Sequence, residues 1–150
     1  MALLEEKNQI EIDDLREKAN EYWDTDKSQY YKLLKDAWSL YPEPKNNWTE
    51  AYSLAQELFS AYLEEENFEE AKKWLNEMIE NNNNLKHSYE DCLFNIGKYN
   101  FEIDNLDEAY NQWREVVRGS GGKNHFRYFE GEDKKYLEFY KSQTKLRESK

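Results

Sequence analysis

Apolar residues recur along this chain at spacings of three and four, broken by short polar runs, and that rhythm predicts a succession of amphipathic helices. Ile10, Leu15, Ala19 and Tyr22 fall near one stripe, with Arg16, Asn20 and Trp23 beside it, which predicts a first helix over residues 8–23. Asp24-Thr25-Asp26 ends it and offers a cap to a second helix carrying Tyr30, Leu33, Leu34, Ala37, Trp38 and Leu40. Tyr41-Pro42-Glu43-Pro44 stops that helix, because proline lacks an N–H and pushes the preceding residue out of the α region. Asn46 or Asn47 is the candidate cap of a long third helix with Trp48, Ala51, Tyr52, Ala55, Leu58, Phe59 and Tyr62 on its apolar side. Glu64-Glu65-Glu66-Asn67 reads as a turn and residues 68–79 as a fourth helix. The asparagines at 81–84 then read as its C-cap and a loop, since Asn tolerates left-handed backbone.

Ser88-Tyr89-Glu90-Asp91 has the spacing of a capping box and opens a fifth helix, whose stripe is Leu93, Ile96, Gly97 and Asn100. A glycine inside a helix costs roughly 1 kcal/mol against alanine, so Gly97 predicts a close approach by a neighbouring helix. A sixth helix over residues 107–118 ends at Gly119-Ser120-Gly121-Gly122. Beyond that linker the pattern predicts a short helix, a turn at Gly131 and a terminal helix with Tyr136, Leu137, Phe139 and Tyr140 as its apolar side.

Two of these segments repeat one another. Asn67-Phe-Glu-Glu-Ala-Lys-Lys-Trp-Leu-Asn-Glu-Met-Ile79 returns as Asn105-Leu-Asp-Glu-Ala-Tyr-Asn-Gln-Trp-Arg-Glu-Val-Val117, with Ala71 and Ala109 spaced 38 positions apart. Self-similarity at such a period points to stacked helical hairpins. The residues resemble the tetratricopeptide repeat, whose pattern is W-x2-L-G-x2-Y in a first helix and A-x3-F in a second, followed by proline. Ile96-Gly97 stands where the family has Leu-Gly, Leu58-Phe59 stands in the same relation to Ala71, Tyr62 matches the tyrosine, and Ala37 followed by Pro42 has the closing spacing. The chain departs from the family in its period of 38 and in Asn100 at a tyrosine position. The resemblance implies an all-α, tetratricopeptide-like right-handed solenoid in a single domain over residues 1–150. It would hold about three helical hairpins, at about 8–44, 46–84 and 86–119, plus a C-terminal capping helix pair within 123–147.

The chain carries 32 acidic and 21 basic residues, net −11, which argues against nonspecific binding to nucleic acid or an anionic membrane surface. The imbalance is uneven: residues 1–110 hold 26 acids and 11 bases, residues 111–150 hold 6 acids and 10 bases. Cys92 is the sole cysteine and lies among apolar residues, so it reads as a small buried hydrophobe, with no disulfide framework and no cysteine-based zinc site. The first residues lack the apolar core of a signal peptide, and no apolar run approaches the ~20 residues of a membrane span, so a cytoplasmic protein is expected.

No catalytic constellation is apparent. His87 and His125 adjoin no nucleophile motif and form no paired-ligand spacing. Gly119-Ser120-Gly121-Gly122-Lys123 lacks the first glycine of a phosphate loop, with Val117 in that place, and follows a helix instead of a strand. The acids at 64–66, 69 and 70 offer a cation or partner site, although solvated charge around a helix start is the simpler reading, and Asp104-Asn-Leu-Asp-Glu108 lacks the ligand spacing and glycine of an EF-hand. No metal, no cofactor and no enzymatic activity is expected.

In the repeats this chain resembles, the first helix of each hairpin lines a concave groove. That implies a partner-binding set of Arg16, Asn20 and Trp23, then Gln56, Ser60 and Leu63, then Phe94, Lys98 and Phe101, although the rings serve equally well as interhelix packing. Glu57 and Asp91 occupy places where a carboxylate-clamping module carries basic or neutral groups, which disfavours chaperone-tail binding. An acidic body with interleaved aromatics suits a basic protein partner. Residues 37–48, the motif at 67–75 and residues 129–140 also look like small tetratricopeptide-like proteins found beside bacterial polymorphic-toxin genes, where such a chain would be an immunity partner. A general scaffold or adaptor is the alternative; a small-molecule or enzymatic role is a third, which the missing site chemistry disfavours.

Overall fold

The computed structural model describes residues 4–86, 89–119 and 126–148, and over them the chain is all-helical with no strand. Seven α-helices are described: α1 Glu6–Asn20, α2 Lys27–Ser39, α3 Thr49–Glu64, α4 Phe68–Leu85, α5 Tyr89–Glu102, α6 Leu106–Gly119 and α7 Lys134–Glu148. Short 3-10 turns lie at Lys45–Asn47 and Arg127–Phe129. The chain divides into two compact units, Met1–His87 and Ser88–Lys150.

In the first unit α1 packs on α2 and α3 on α4. Its core holds Ile12, Leu34, Leu54, Leu58, Phe59, Leu75 and Met78, all fully buried. Large rings fill the remaining gaps: Tyr31 stacks on Tyr62 with centroids 4.0 Å apart, and Trp38 meets Trp74 edge-on at 5.0 Å. Asp26 caps α2 by accepting from the Gln29 N–H, and Asn67 caps α4 by accepting from the Glu70 N–H, as side chains with a short polar acceptor do.

The second unit pairs α5 with α6 and lays the C-terminal segment over them. Phe94, Tyr110, Trp113, Val116, Phe129, Tyr136 and Tyr140 form its core. Gly97 is the predicted close approach. A Cβ there would stand 2.4 Å from Nε1 of Trp113, whose ring is fully buried and donates to the Phe94 carbonyl at 3.0 Å. Cys92 is buried, as its neighbours implied. The tail expected to cover α6 does so, with Tyr140 stacked on Tyr110 at 5.3 Å and Tyr136 5.5 Å from Trp113.

The repeat in sequence is a repeat in backbone. Glu66 and Asp104, 38 residues apart, both have positive φ, at 60° and 65°. The residue after each donates its N–H back across the turn, Asn67 to Tyr62 and Asn105 to Asn100, at 2.9 and 2.8 Å.

Three expectations need correction. The asparagines at 81–84 are not a loop: α4 continues through them to Leu85, and Lys86 takes the left-handed capping conformation instead. Asn81 is buried and donates to the Trp48 carbonyl at 2.9 Å. Asn84 donates to the Asn46 carbonyl at 2.9 Å and to Asn47 Oδ1 at 2.8 Å. Bonds to another segment hold these side chains, so they do not compete for their own backbone. Neither Asn46 nor Asn47 caps α3; both lie in the 3-10 turn, and Trp48 stands at the helix start with its indole bonded to the Pro42 carbonyl. The first helix ends at Asn20, three residues early, because N–H groups from Glu21 onward turn to carbonyls three residues back. Ser88 of the expected capping box, His87, His125 and positions 120–123 of the glycine linker lie outside the described residues.

Candidate functional site

A surface cleft of about 380 Å³ opens in the first unit between the α1–α2 turn and α3. Asn20, Trp23 and Asp24 line one side, Glu57, Ser60 and Glu64 the other, and Tyr30 closes the base. Helical spacing explains the second row: positions 57, 60, 61 and 64 of α3 share one face. Trp23 is half-buried, set edge-on to Tyr30 with centroids 4.9 Å apart, and Lys27 rests over its ring at 3.8 Å. The indole is therefore held from two sides and its face already binds a cation.

Arg16 does not line this cleft but pairs with Glu57, which does. Its guanidinium donates to Glu57 Oε2 at 2.9 and 3.2 Å and to Ser53 Oγ at 3.2 Å. The pair neutralises Glu57 and leaves the Arg16 guanidinium occupied within the chain. Asp24 and Glu64 are exposed and, among the described residues, ion-paired to nothing. Burial, and after it the charge of and hydrogen bond to Glu57, raise the pKa of the Tyr30 hydroxyl well above that of an ordinary tyrosine. The cleft thus combines a fixed aromatic plane, a neutral hydroxyl and two uncompensated carboxylates.

Of the residues expected to line a groove, Asn20, Trp23 and Ser60 come together here, with Arg16 paired beside them. Gln56 is half-buried on the same helix; Leu63 is 4 % exposed and belongs to the core, so its expected contact with a partner is corrected to packing. Phe94 and Lys98, in the second unit, call for the same correction. Phe94 is 2 % exposed and lies against Trp113 and Phe129. Lys98 is 7 % exposed and pairs with Glu132 at 2.8 Å. Phe101 is half-buried against Tyr136 and Phe139, with the Lys135 ammonium 5.8 Å over its ring. The chain's own C-terminal segment takes these side chains, because a row of exposed rings on α5 is most stable when other rings cover it.

From the sequence, Asp24 reads only as the end of a helix, and Glu64 only as part of an acidic cluster whose simpler reading is solvated charge. Their signal was position: each is an acid at the turn end of a helix whose apolar stripe is already complete, in a chain with a large surplus of acids. Among the described residues no group of three acidic, histidine or cysteine side chains could hold a metal ion, and no helix is long and apolar enough to cross a membrane. Compared with known protein families, with curated proteins and with solved structures, the chain matches none.

Proposed function

We propose that this chain is a non-enzymatic protein-binding module and that the cleft around Trp23 receives a basic segment of its partner. The observation that carries the reading is the pairing of a braced indole with the uncompensated carboxylates Asp24 and Glu64. A lysine or arginine side chain entering there meets two anions beside the indole and competes with Lys27 for the ring face. Residues 1–87 carry 20 acids against 10 bases, so approach of such a segment is steered from a distance. The duplicated turn and the hairpin motif support a tetratricopeptide-like right-handed solenoid as the frame. Within this class we favour a cytoplasmic immunity role against a basic toxin domain, on the resemblance carried by residues 37–48, 67–75 and 129–140.

The test is fluorescence anisotropy with a labelled lysine- and arginine-rich peptide, at two salt concentrations. Binding should weaken with salt, since exposed charges beyond a Debye length of ~8 Å are screened at physiological ionic strength. Trp23→Ala should weaken it by roughly tenfold or more, the cost of a hot-spot ring, and Asp24→Asn with Glu64→Gln should flatten the salt dependence. Affinity unchanged in both variants would sink the cleft as the binding site. The immunity role has its own test: co-expression should rescue growth from a basic toxin encoded beside this gene, and no rescue would leave only the general binding module.

A further inference from the structure

The second unit carries a cleft of the opposite charge. It lies between α6 and α7, with a volume of about 370 Å³, and is lined by Arg114, Arg118 and Arg147 together with Tyr110, Tyr140, Thr144 and one acid, Glu148. Arg114 and Arg118 are one helical turn apart and share a face, which is repulsive for two like charges unless an anion lies between them. Among the described residues neither has an ion-pair partner, in a chain with 32 acids to 21 bases. The rest of the cleft is fixed by contacts of its own. Arg147 lies 4.2 Å over the Tyr110 ring and bonds Asp107 at 3.1 Å, the two tyrosine rings stack, and the Tyr110 hydroxyl is 3.2 Å from Thr144 Oγ1. Burial, and after it the charge of Tyr110, raise the Tyr140 pKa, and Thr144, Arg114 and Arg118 oppose that rise.

We propose that this cleft binds a phosphate monoester, its dianion held between Arg114 and Arg118 of α6 with the Arg147 guanidinium of α7 as a further donor; the Thr144 hydroxyl is already spent on the Tyr140 carbonyl at 2.9 Å. Donors from two helices converge there, as a tetrahedral oxyanion with three acceptor oxygens requires, whereas a single carboxylate is satisfied by one guanidinium fork. The cleft is larger than the phosphate group itself, which leaves room for the organic substituent toward its open side. This site is independent of the acidic cleft of the first unit and stands or falls separately.

The experiment is calorimetric titration of the full-length chain with inorganic phosphate and with glycerol phosphate, at constant ionic strength, with chloride as the control anion. Both phosphates should bind saturably at one site and chloride should not. Arg114→Gln and Arg118→Gln should each weaken binding by roughly tenfold, the loss of one charge-assisted contact. Arg118→Lys, which keeps the charge but not the fork, should fall between them and the parent. Both arginines are exposed, so the variants should melt as the parent does, and circular dichroism checks it. Phosphate binding no stronger than that of chloride, or unchanged in both glutamine variants, overturns the proposal. So does binding of a tetraglutamate peptide in place of either phosphate, which would make the cleft a docking surface for acidic chains.

Discussion

The α3–α4 and α5–α6 hairpins are two executions of one motif, and where they differ is instructive. Both turns use a left-handed acid followed by an asparagine, and both second helices present an alanine, Ala71 or Ala109, with no exposed surface. At the position of Phe59 in the first hairpin the second has Gly97, and at the position of Leu75 it has Trp113. The bulk has moved from one helix to the other, as a close-packed interior allows when total volume is kept. The next difference is in what lies on top. Gln56, Ser60 and Leu63 are matched 38 residues later by Phe94, Lys98 and Phe101, and only the second set is rich in rings. Those rings gather Phe129, Tyr136 and Phe139 over themselves, whereas the polar side of α3 helps to form an acidic cleft. The repeated positions build the hairpin; the unrepeated ones decide whether its face is covered.

The strongest way to break this contrast is to remove the cover. Truncation after Gly119 should uncover Phe94, Phe101 and Trp113 and abolish cooperative unfolding of the second unit, since Phe129, Tyr136 and Tyr140 each contribute on the order of 1.5–3 kcal/mol by burial. A truncated chain that stays monodisperse, with an unchanged melt, would show the cover to be dispensable.

Shifted bulk predicts the next effect. Trp113→Ala should cost about 3–5 kcal/mol in chemical denaturation, and Gly97→Ala about 1–3 kcal/mol despite the better helix propensity of alanine, because the pinned indole leaves its Cβ no room. Gly97→Phe combined with Trp113→Leu reproduces the other hairpin's pair, and should recover stability relative to Gly97→Phe alone. A double variant no better than the single one would refute the exchange of volume.

Alkaline pH separates buried tyrosines from the rest of the fold. Burial, with the charges of Glu50 and Asp13 adding to it and Arg16 opposing, pushes Tyr41 from 10.0 up to about 12, so the folded state holds this proton more tightly than the unfolded chain does. Its contribution is fully present below pH 10 and is lost as the pH rises through 12, roughly 2–3 kcal/mol in all. Tyr41→Phe should remove that share of the slope in urea titrations between pH 9 and 12; an unaltered slope would place the titration elsewhere. Tyr136 is raised as well, by burial and then by Glu102, so the second unit should lose stability in the same direction.

The smallest predicted effect concerns helix length. Asn81 corresponds to Gly119, where α6 ends, yet α4 runs on to Leu85. Asn81→Ala removes the buried side-chain donor to the Trp48 carbonyl, which keeps the Ala51 N–H, and should cost about 1 kcal/mol, with faster amide exchange over residues 81–85. Exchange unchanged there would mean that the asparagine bonds do not extend the helix.

Spacing alone determined the order of the helices and the core of each, though not where α1 and α4 end, because a stripe of apolar residues at three and four must find cover whatever that cover is. It also determined the duplicated hairpin and the tight contact at Gly97, whose missing side chain is a cost without a close neighbour. Only the tertiary structure decided what each face meets. The asparagine run reads locally as a loop and becomes helix through bonds to residues 33 to 38 positions away. Phe94, Lys98 and Phe101 read as an open face and are buried or half-buried under the C-terminal segment. Asp24 and Glu64 come to line one cleft only when the turn after α1 is brought beside α3. A helical period records that one side of a segment is apolar; it carries no record of which distant residues will complete it, and binding surfaces are made at those long-range meetings.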